Sequence, residues 1–191
     1  MSDYYHHHYQ TYHEKTFPVD PSSFLTPLAA HLKPGSTILD VGCGSGRDML
    51  WLKGHGYNVS GLERSGGLAR LARKHSACRV IEADFETCDF SQMAVEALVL
   101  VGAMVHLPRP EFPMVLKSIC RALKKAGILL ITMKQGNGAE TDPQGRKFSL
   151  WQDTELRDVF HSQRLIVIDF FRQPSIINTD DIWLGYVLKK T

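Results

Sequence analysis

The chain has 191 residues, of which 43% are hydrophobic and 22% charged, and its formal net charge is +2. This length and composition fit one globular domain with a sizeable core and exclude a disordered chain. The small charge gives no indication of nucleic-acid binding, and no apolar run approaches the roughly 20 residues that span a bilayer.

The N-terminus and the cysteines indicate the compartment. The first eight residues are polar and lack the apolar core of a signal peptide. The four cysteines contain no C-x-x-C pair, which favours reduced thiols, so we predict a cytoplasmic protein.

The run of histidines from His6 to His8 suggests a candidate metal site. No Cys or carboxylate set at ligand spacing accompanies it, so we predict no metal site.

Residues 1–33 are predicted to form a helical segment that precedes the core. One helix is predicted over 9–15, and two prolines then interrupt the chain before a second helix over 22–32. The core begins after the Pro-Gly turn at Gly35.

A glycine turn is the central motif of the core. An apolar strand over 37–41 carries Asp40 near its end and runs into Gly42-Cys-Gly-Ser-Gly46, and a helix over 47–55 follows at once. Glycine takes positive φ and has no Cβ, so a ligand can approach the backbone of such a turn. A nucleotide-like ligand would therefore sit at the strand's carboxyl end, against the helix N-terminus.

The turn departs from the dinucleotide fingerprint G-x-G-x-x-G because Arg47 occupies the last glycine position. A strand predicted over 57–63 ends in Glu63. That position is close to the ~20-residue offset expected for a carboxylate that accepts ribose hydroxyls. The turn alone could be architectural, but together with Glu63 it favours a nucleoside-containing ligand.

The next strand–helix units place further candidates at strand ends. A helix is predicted over 67–75 and a strand over 79–81, which is followed by Asp84-Phe85. Strand ends of this kind border the ligand crevice of a parallel sheet.

A continuous apolar run over 95–101 predicts a central parallel strand, and it ends in Gly102-Ala-Met-Val-His106. His106 is therefore predicted at the mouth of the crevice, where it could act as a base or contact the substrate. A structural hydrogen bond is the alternative.

The second half of the chain continues the alternation of strands and helices and closes with two adjacent strands. The predicted elements are a helix over 112–125, a strand over 128–133, a polar loop over 137–147, a helix over 153–161 and strands over 165–171 and 182–188. Together the elements predict an α/β, doubly wound, mostly parallel seven-stranded sheet with an antiparallel C-terminal strand pair.

Five stretches carry a family resemblance. They are Ile38-Leu-Asp-Val-Gly-Cys-Gly-Ser-Gly46, Gly61-Leu-Glu-Arg-Ser65, Glu82-Ala-Asp-Phe85, Val105-His-Leu-Pro-Arg109 and the helix–strand pair 112–133. Together they resemble the small class I S-adenosylmethionine-dependent methyltransferases. The resemblance implies a Rossmann-like methyltransferase fold in one domain over 1–191, with 1–33 as a lid and 35–191 as the cofactor-binding core.

The resemblance also implies a site for S-adenosyl-L-methionine. Asp84 would accept a hydrogen bond from the adenine amino group, with Phe85 beside it, and Tyr12 would contact the cofactor from the lid. Asp48 would contact the methionine end, unless it only stabilises its helix N-terminus. The full predicted cofactor set is Tyr12, Asp40, Gly42, Cys43, Gly44, Asp48, Glu63, Arg64, Asp84, Phe85 and Gly102.

The predicted activity is methyl transfer to a small-molecule acceptor by in-line displacement, with His106 as the catalytic and substrate candidate. In similar enzymes an element like Gly145-Arg-Lys-Phe148 lies beside the substrate opening, so Arg146 is predicted to contact an anion; a solvated arginine is the alternative. Only the N-terminal segment and the loops over 135–150 and 172–181 remain to hold a substrate, which favours a small one.

Two other functions remain open. One is an RNA or protein methyltransferase that needs a partner subunit, and the other is a non-catalytic cofactor-binding regulatory subunit. A nicotinamide oxidoreductase is disfavoured by Arg47. The sequence leaves the acceptor atom, the need for a general base and the oligomeric state undetermined.

Overall fold

The computed structural model describes residues 4–178 and 180–191. The helices are α1 (Tyr4–His7), α2 (Tyr9–Thr16), α3 (Ser22–Ala29), α4 (Arg47–Gly54), α5 (Gly66–Ser76), α6 (Phe112–Ile119) and α7 (Asp153–Ser162). The strands are β1 (Thr37–Val41), β2 (Asn58–Glu63), β3 (Arg79–Glu82), β4 (Val95–Val101), β5 (Leu123–Lys134), β6 (Ala139–Thr141), β7 (Lys147–Ser149), β8 (Leu165–Pro174) and β9 (Ile182–Lys190).

Seven of the described strands form one sheet in the order β3-β2-β1-β4-β5-β9-β8. The strands from β1 to β5 are parallel, and β9 runs antiparallel to both of its neighbours. The predicted doubly wound, mostly parallel seven-stranded sheet with an antiparallel C-terminal pair is confirmed. Its strand order reverses between β1 and β4, so a ligand crevice is expected at the carboxyl ends of these two strands.

Strand β4 shows why the apolar runs form the centre of the sheet. Its residues 97–100 are fully buried, and successive side chains enter different cores. Leu98 packs with Leu129 and Phe112, whereas Val99 packs with Leu130 and Leu25 on the opposite face. Helices cover both faces, so positions 97–100 of this strand favour apolar residues.

The predicted helix over 112–125 is too long. Helix α6 ends at Ile119, a 3-10 turn follows over Cys120–Ala122, and β5 begins at Leu123. Leu123 continues the helical spacing of apolar residues in the sequence, but in the structure it pairs with Val95 of β4. The sheet partner lies far away in the sequence, so the local periodicity could not reveal it.

The polar loop predicted over 137–147 contains part of a short hairpin, in which β6 pairs with β7. Its turn is held by the Asp142 carboxylate, which accepts hydrogen bonds from the backbone N–H groups of Gln144 and Arg146. Such Asx turns stabilise tight chain reversals without an apolar core.

The N-terminal helices pack against α5, beside the carboxyl edge of the sheet. Gly67 allows this contact, because a Cβ at this position would lie 2.5 Å from the Tyr9 ring. The rings of His13 and His75 stack 4.8 Å apart at the same interface. None of the helices within 4–178 and 180–191 is long and apolar enough to cross a membrane.

We expect Leu98→Ala to lower the free energy of unfolding by ~2–5 kcal/mol, because it leaves a cavity in the central strand. Leu50→Ala is the matched control, since the Leu50 side chain is exposed on α4; the expected change there is below ~0.5 kcal/mol. Urea denaturation measures both values. Equal losses in the two variants would contradict the buried position of Leu98.

Candidate functional site

The glycine turn between β1 and α4 lies at the reversal point of the sheet. Gly42, Gly44 and Gly46 all have positive φ, of 75°, 55° and 85°. A Cβ at Gly42 would lie 2.8 Å from the Ala103 Cβ, and a Cβ at Gly46 would lie 2.8 Å from the Cα of Ala72. The turn therefore brings its backbone against the loop after β4 and against α5, which only glycine permits.

Glu63 fixes this turn to the end of β2. Its side chain is only 7% exposed, and its two oxygens accept hydrogen bonds from the backbone N–H groups of Gly44 (2.9 Å) and Ser65 (2.8 Å). Burial raises the pKa of the carboxyl group, and the backbone N–H donors oppose that rise. Each carboxylate oxygen has a second lone pair, so the group can still accept ribose hydroxyls.

Asp84 and Phe85 lie beside Glu63, beyond the end of β3. The Asp84 carboxylate binds Arg64 at 3.1 Å and the backbone N–H of Glu86 at 3.0 Å. Phe85 is buried beneath them. These residues line a crevice of about 60 Å³, together with His106.

Asp40 is the penultimate residue of β1 and is only 2% exposed, and its Oδ2 atom has no hydrogen-bond partner within the described residues. Burial and the nearby Asp48 raise the pKa of Asp40 well above its usual range, against the effect of Arg47. Arg47 is paired with Asp48 at 2.6 Å. A buried carboxyl oxygen without a partner is suited to an ammonium group of a ligand.

A cavity of about 830 Å³ extends from this turn toward the β6–β7 hairpin. Every predicted site residue lines this cavity or the adjoining crevice. Those on the cavity are Tyr12, Asp40, Gly42, Cys43, Gly44, Asp48, Gly102 and Arg146, and those on the crevice are Tyr12, Gly42, Gly44, Glu63, Arg64, Asp84, Phe85, Gly102 and His106. The fold thus gathers the whole predicted set at one edge of the sheet, while the role of each residue stays a prediction.

Residues 38–127 match a protein-family model described as a methyltransferase domain. Over these residues, just under half of the chain, the protein is similar to methyltransferase domains. The matched region runs from β1 into β5 and includes the glycine turn, Glu63, Asp84 and His106. The resemblance to class I S-adenosylmethionine-dependent methyltransferases is thereby confirmed.

Two curated relatives each match about half of the chain. The domain is 33% identical over 104 residues to 24-methylenesterol C-methyltransferase 2 of Oryza sativa subsp. japonica, covering 50% of this chain and 28% of that protein. It is 30% identical over 110 residues to probable tRNA methyltransferase 9B of Mus musculus, covering 55% of this chain and 24% of that protein. The chain thus spans about a quarter of the length of these relatives.

A similar solved structure covers nearly the whole chain. The 1,6-didemethyltoxoflavin-N1-methyltransferase of Burkholderia thailandensis, crystallised with 1,6-didemethyltoxoflavin and S-adenosylhomocysteine, superposes with a TM-score of 0.79. The alignment covers 98% of this chain and 84% of that chain at 20% identity. At this identity the likeness establishes the fold.

S-adenosylmethionine is the cofactor of the methyltransferase family, as predicted, and the residues of this site fit its chemistry. The unpartnered oxygen of Asp40 suits the amino group at the methionine end. Glu63 can accept the ribose hydroxyls, and Asp84 remains the predicted partner of the adenine amino group. Within 4–178 and 180–191 no group of three or more His, Cys, Asp or Glu side chains could hold a metal.

His106 lies in a 3-10 turn after β4 and is neutral at pH 7. Its Nδ1–H donates to the backbone carbonyl of Lys147 at 2.7 Å, so Nε2 carries the lone pair and accepts from the Tyr5 hydroxyl at 2.7 Å. Burial lowers the pKa of the imidazole to about 4, and the cations Arg146 and Lys134 contribute. A neutral imidazole can accept a proton, but here Tyr5 covers the accepting atom.

Arg146 lies on the β6–β7 hairpin and forms a salt bridge with Asp142. Its guanidinium binds the Asp142 carboxylate through two nitrogens, each at 2.7 Å. It also lies between the rings of Tyr4 and Phe148, at 5.0 and 5.2 Å from their centroids. The guanidinium also hydrogen-bonds the Tyr5 hydroxyl, so an acceptor could use only the N–H donors that Asp142 and Tyr5 leave.

Lys134 is a site residue that the sequence analysis did not single out. Its side chain is buried at the end of β5, and Nζ binds Glu140 at 2.9 Å and Asp181 at 2.8 Å. The ammonium also lies 4.1 Å from the Phe148 ring centroid. Lys134 therefore joins the hairpin to the loop before β9. A lysine at the end of a buried strand is unusual, and this signal could have identified it.

We expect the protein to lose stability as the pH falls from about 6.5 to about 4. The folded His106 has a pKa near 4, whereas an unfolded histidine titrates near ~6.5. The unfolded chain therefore binds a proton that the folded chain does not, and stability is lost as this proton binds. The contribution of His106 is at most about 3 kcal/mol over this range.

The variant His106→Asn isolates that contribution. The stability difference between wild type and His106→Asn should shrink from pH 7 to pH 4.5, as measured by urea denaturation. His161→Asn, at an exposed position on α7, is the matched control and should show no such trend. A pH-independent difference for His106→Asn would contradict the assignment.

We expect Glu63→Ala to weaken binding of S-adenosylhomocysteine by about 5- to 150-fold, equivalent to ~1–3 kcal/mol, through loss of hydrogen bonds to the ribose. Isothermal titration calorimetry gives the dissociation constants. Glu111→Ala is the control, because Glu111 is exposed before α6. Unchanged affinity in Glu63→Ala would remove the ribose assignment.

Proposed function

We propose that this methyltransferase domain transfers the methyl group of S-adenosylmethionine to a small-molecule acceptor by in-line displacement. The observation that carries the proposal is the cavity of about 830 Å³, which begins at the glycine turn and continues beyond it. Its volume is typical of small-molecule sites. One cavity can therefore hold the methionine end of the cofactor and an acceptor in line with it.

The wall of the cavity beside the β6–β7 hairpin favours an acceptor of low charge. Lys134 and Arg146 already have carboxylate partners on the same wall, so an anionic acceptor would have to displace one of these carboxylates. The apolar side chains of Phe24, Ile177 and Trp183 provide much of the remaining surface. A compact, largely apolar or aromatic molecule with a nucleophilic N, O, S or C atom suits this lining.

The similar proteins act on acceptors of different kinds. They include a sterol methyltransferase and a 1,6-didemethyltoxoflavin methyltransferase, but also a probable tRNA methyltransferase. The loops that would bind the acceptor lie outside the matched region 38–127. The acceptor therefore has to be derived from the cavity, and its size and charge balance favour a small molecule.

The cofactor supplies a methyl group that is already activated on a sulfonium sulfur. The chain would bind and align the reactants and exclude water. We propose that Asp40 holds the cofactor's amino group, Glu63 its ribose and Asp84 its adenine. Residues 1–33 would cover the site as a lid.

Methyl-labelled S-adenosylmethionine tests the proposal. The protein is incubated with an extract of the source cells, which is then separated into low-mass, RNA and protein fractions. We expect label in the low-mass fraction, and at least tenfold less with Glu63→Ala. Label in RNA or protein alone would favour the alternative macromolecular substrate, and no transfer despite cofactor binding would favour a regulatory subunit.

A further inference from the structure

We propose that Tyr5 occupies the adenosine half of the cofactor site and that S-adenosylmethionine must displace it in order to bind. The inference rests on the proposed assignment of Glu63 and Asp84 to the nucleoside, and it adds a competing group from the chain itself. Nothing in the family match covers it, because that match begins at Ile38.

Two hydrogen bonds hold Tyr5 across the carboxyl edge of the sheet. Its backbone carbonyl accepts from Ser65 Oγ at 2.9 Å, and its hydroxyl donates to His106 Nε2 at 2.7 Å. Ser65 follows β2 and His106 follows β4, and these two strands flank β1. Tyr5 therefore bridges the end of β1, where the glycine turn begins.

The space beneath Tyr5 is too small for a nucleoside. Tyr5 lines the crevice of about 60 Å³ with Glu63, Asp84 and Phe85. A buried water needs about 10–15 Å³ of such free volume, so this crevice has room for a few waters and not for a purine and a ribose. The methionine half, in contrast, opens into the large cavity.

The contacts of Tyr5 explain why it enters the crevice. Its hydroxyl is hydrogen-bonded, and its ring meets the Tyr12 ring edge-on, with centroids 5.0 Å apart. The neighbouring Tyr4 ring lies against Arg146 of the hairpin. A tyrosine with an apolar ring contact and a satisfied hydroxyl is stable in such a site.

The element that carries Tyr5 can also leave at small cost. Helix α1 has four residues, and all of them are at least partly exposed. A helix of this length has almost no intrinsic stability. Segments with few buried contacts open with low free energy, so a ligand can displace α1 without unfolding the sheet.

Displacement of Tyr5 also changes His106. The bond from Nδ1–H to the Lys147 carbonyl is independent of Tyr5, so departure of Tyr5 frees the Nε2 lone pair. Cofactor binding would thus expose Nε2 of His106 within the crevice.

Calorimetry with S-adenosylhomocysteine tests the occlusion. A site that is closed about 90% of the time binds about tenfold more weakly than an open one, so Tyr5→Ala should tighten the dissociation constant by about tenfold. Tyr5→Phe keeps the ring and loses the hydroxyl, so its dissociation constant should lie between those of the wild type and Tyr5→Ala. Tyr57→Phe is the control, because the Tyr57 hydroxyl donates to the Ala29 carbonyl of α3 and Tyr57 lines neither the cavity nor the crevice. Unchanged or weaker binding by Tyr5→Ala would overturn the proposal.

Rapid-mixing fluorescence provides an independent test on the wild type, since Trp183 lines the large cavity. The observed binding rate should level off at high S-adenosylhomocysteine concentration, where release of Tyr5 becomes limiting, and should rise linearly in Tyr5→Ala. A linear rise in the wild type would overturn the occlusion. Glu63→Ala in the Tyr5→Ala background tests the nucleoside assignment separately, because it should weaken binding whether or not Tyr5 blocks the site.

Discussion

The carboxylate of Glu63 is the interaction on which the site depends. It links the backbone of Gly44 to that of Ser65, and so it ties the turn after β1 to the start of α5. Because the group is buried, loss of its charge would leave two backbone N–H groups without a strong acceptor. The residue proposed to recognise the ribose is therefore also the residue that holds the glycine turn in a binding-competent shape.

The sequence predicted most of the sheet because its strands are apolar runs and its helices have a regular apolar spacing. It also predicted which residues meet at the carboxyl edge, since parallel strands bring their ends together. It could not place Leu123, whose spacing fits a helix but whose partner is Val95 in a distant strand. It also missed the bond between Tyr5 and His106, which are 101 positions apart and share no local pattern.

The two halves of the proposed cofactor site differ in character. The methionine half has a buried carboxyl oxygen without a partner at Asp40, and it is open to the large cavity. The adenosine half has its carboxylates bound to the chain's own N–H and guanidinium groups, with Tyr5 above them. Recognition would thus begin at the methionine end, and the nucleoside would then replace internal contacts rather than water.

Lys134 couples two segments of the cavity wall that would contact the acceptor. One ammonium group separates the carboxylates of Glu140 and Asp181, and these belong to two different segments of the cavity wall. Replacing either segment by one from another enzyme would change the charge balance around the same nitrogen. A chimeric enzyme with a new acceptor would therefore need both the hairpin and the loop before β9 from the same donor enzyme.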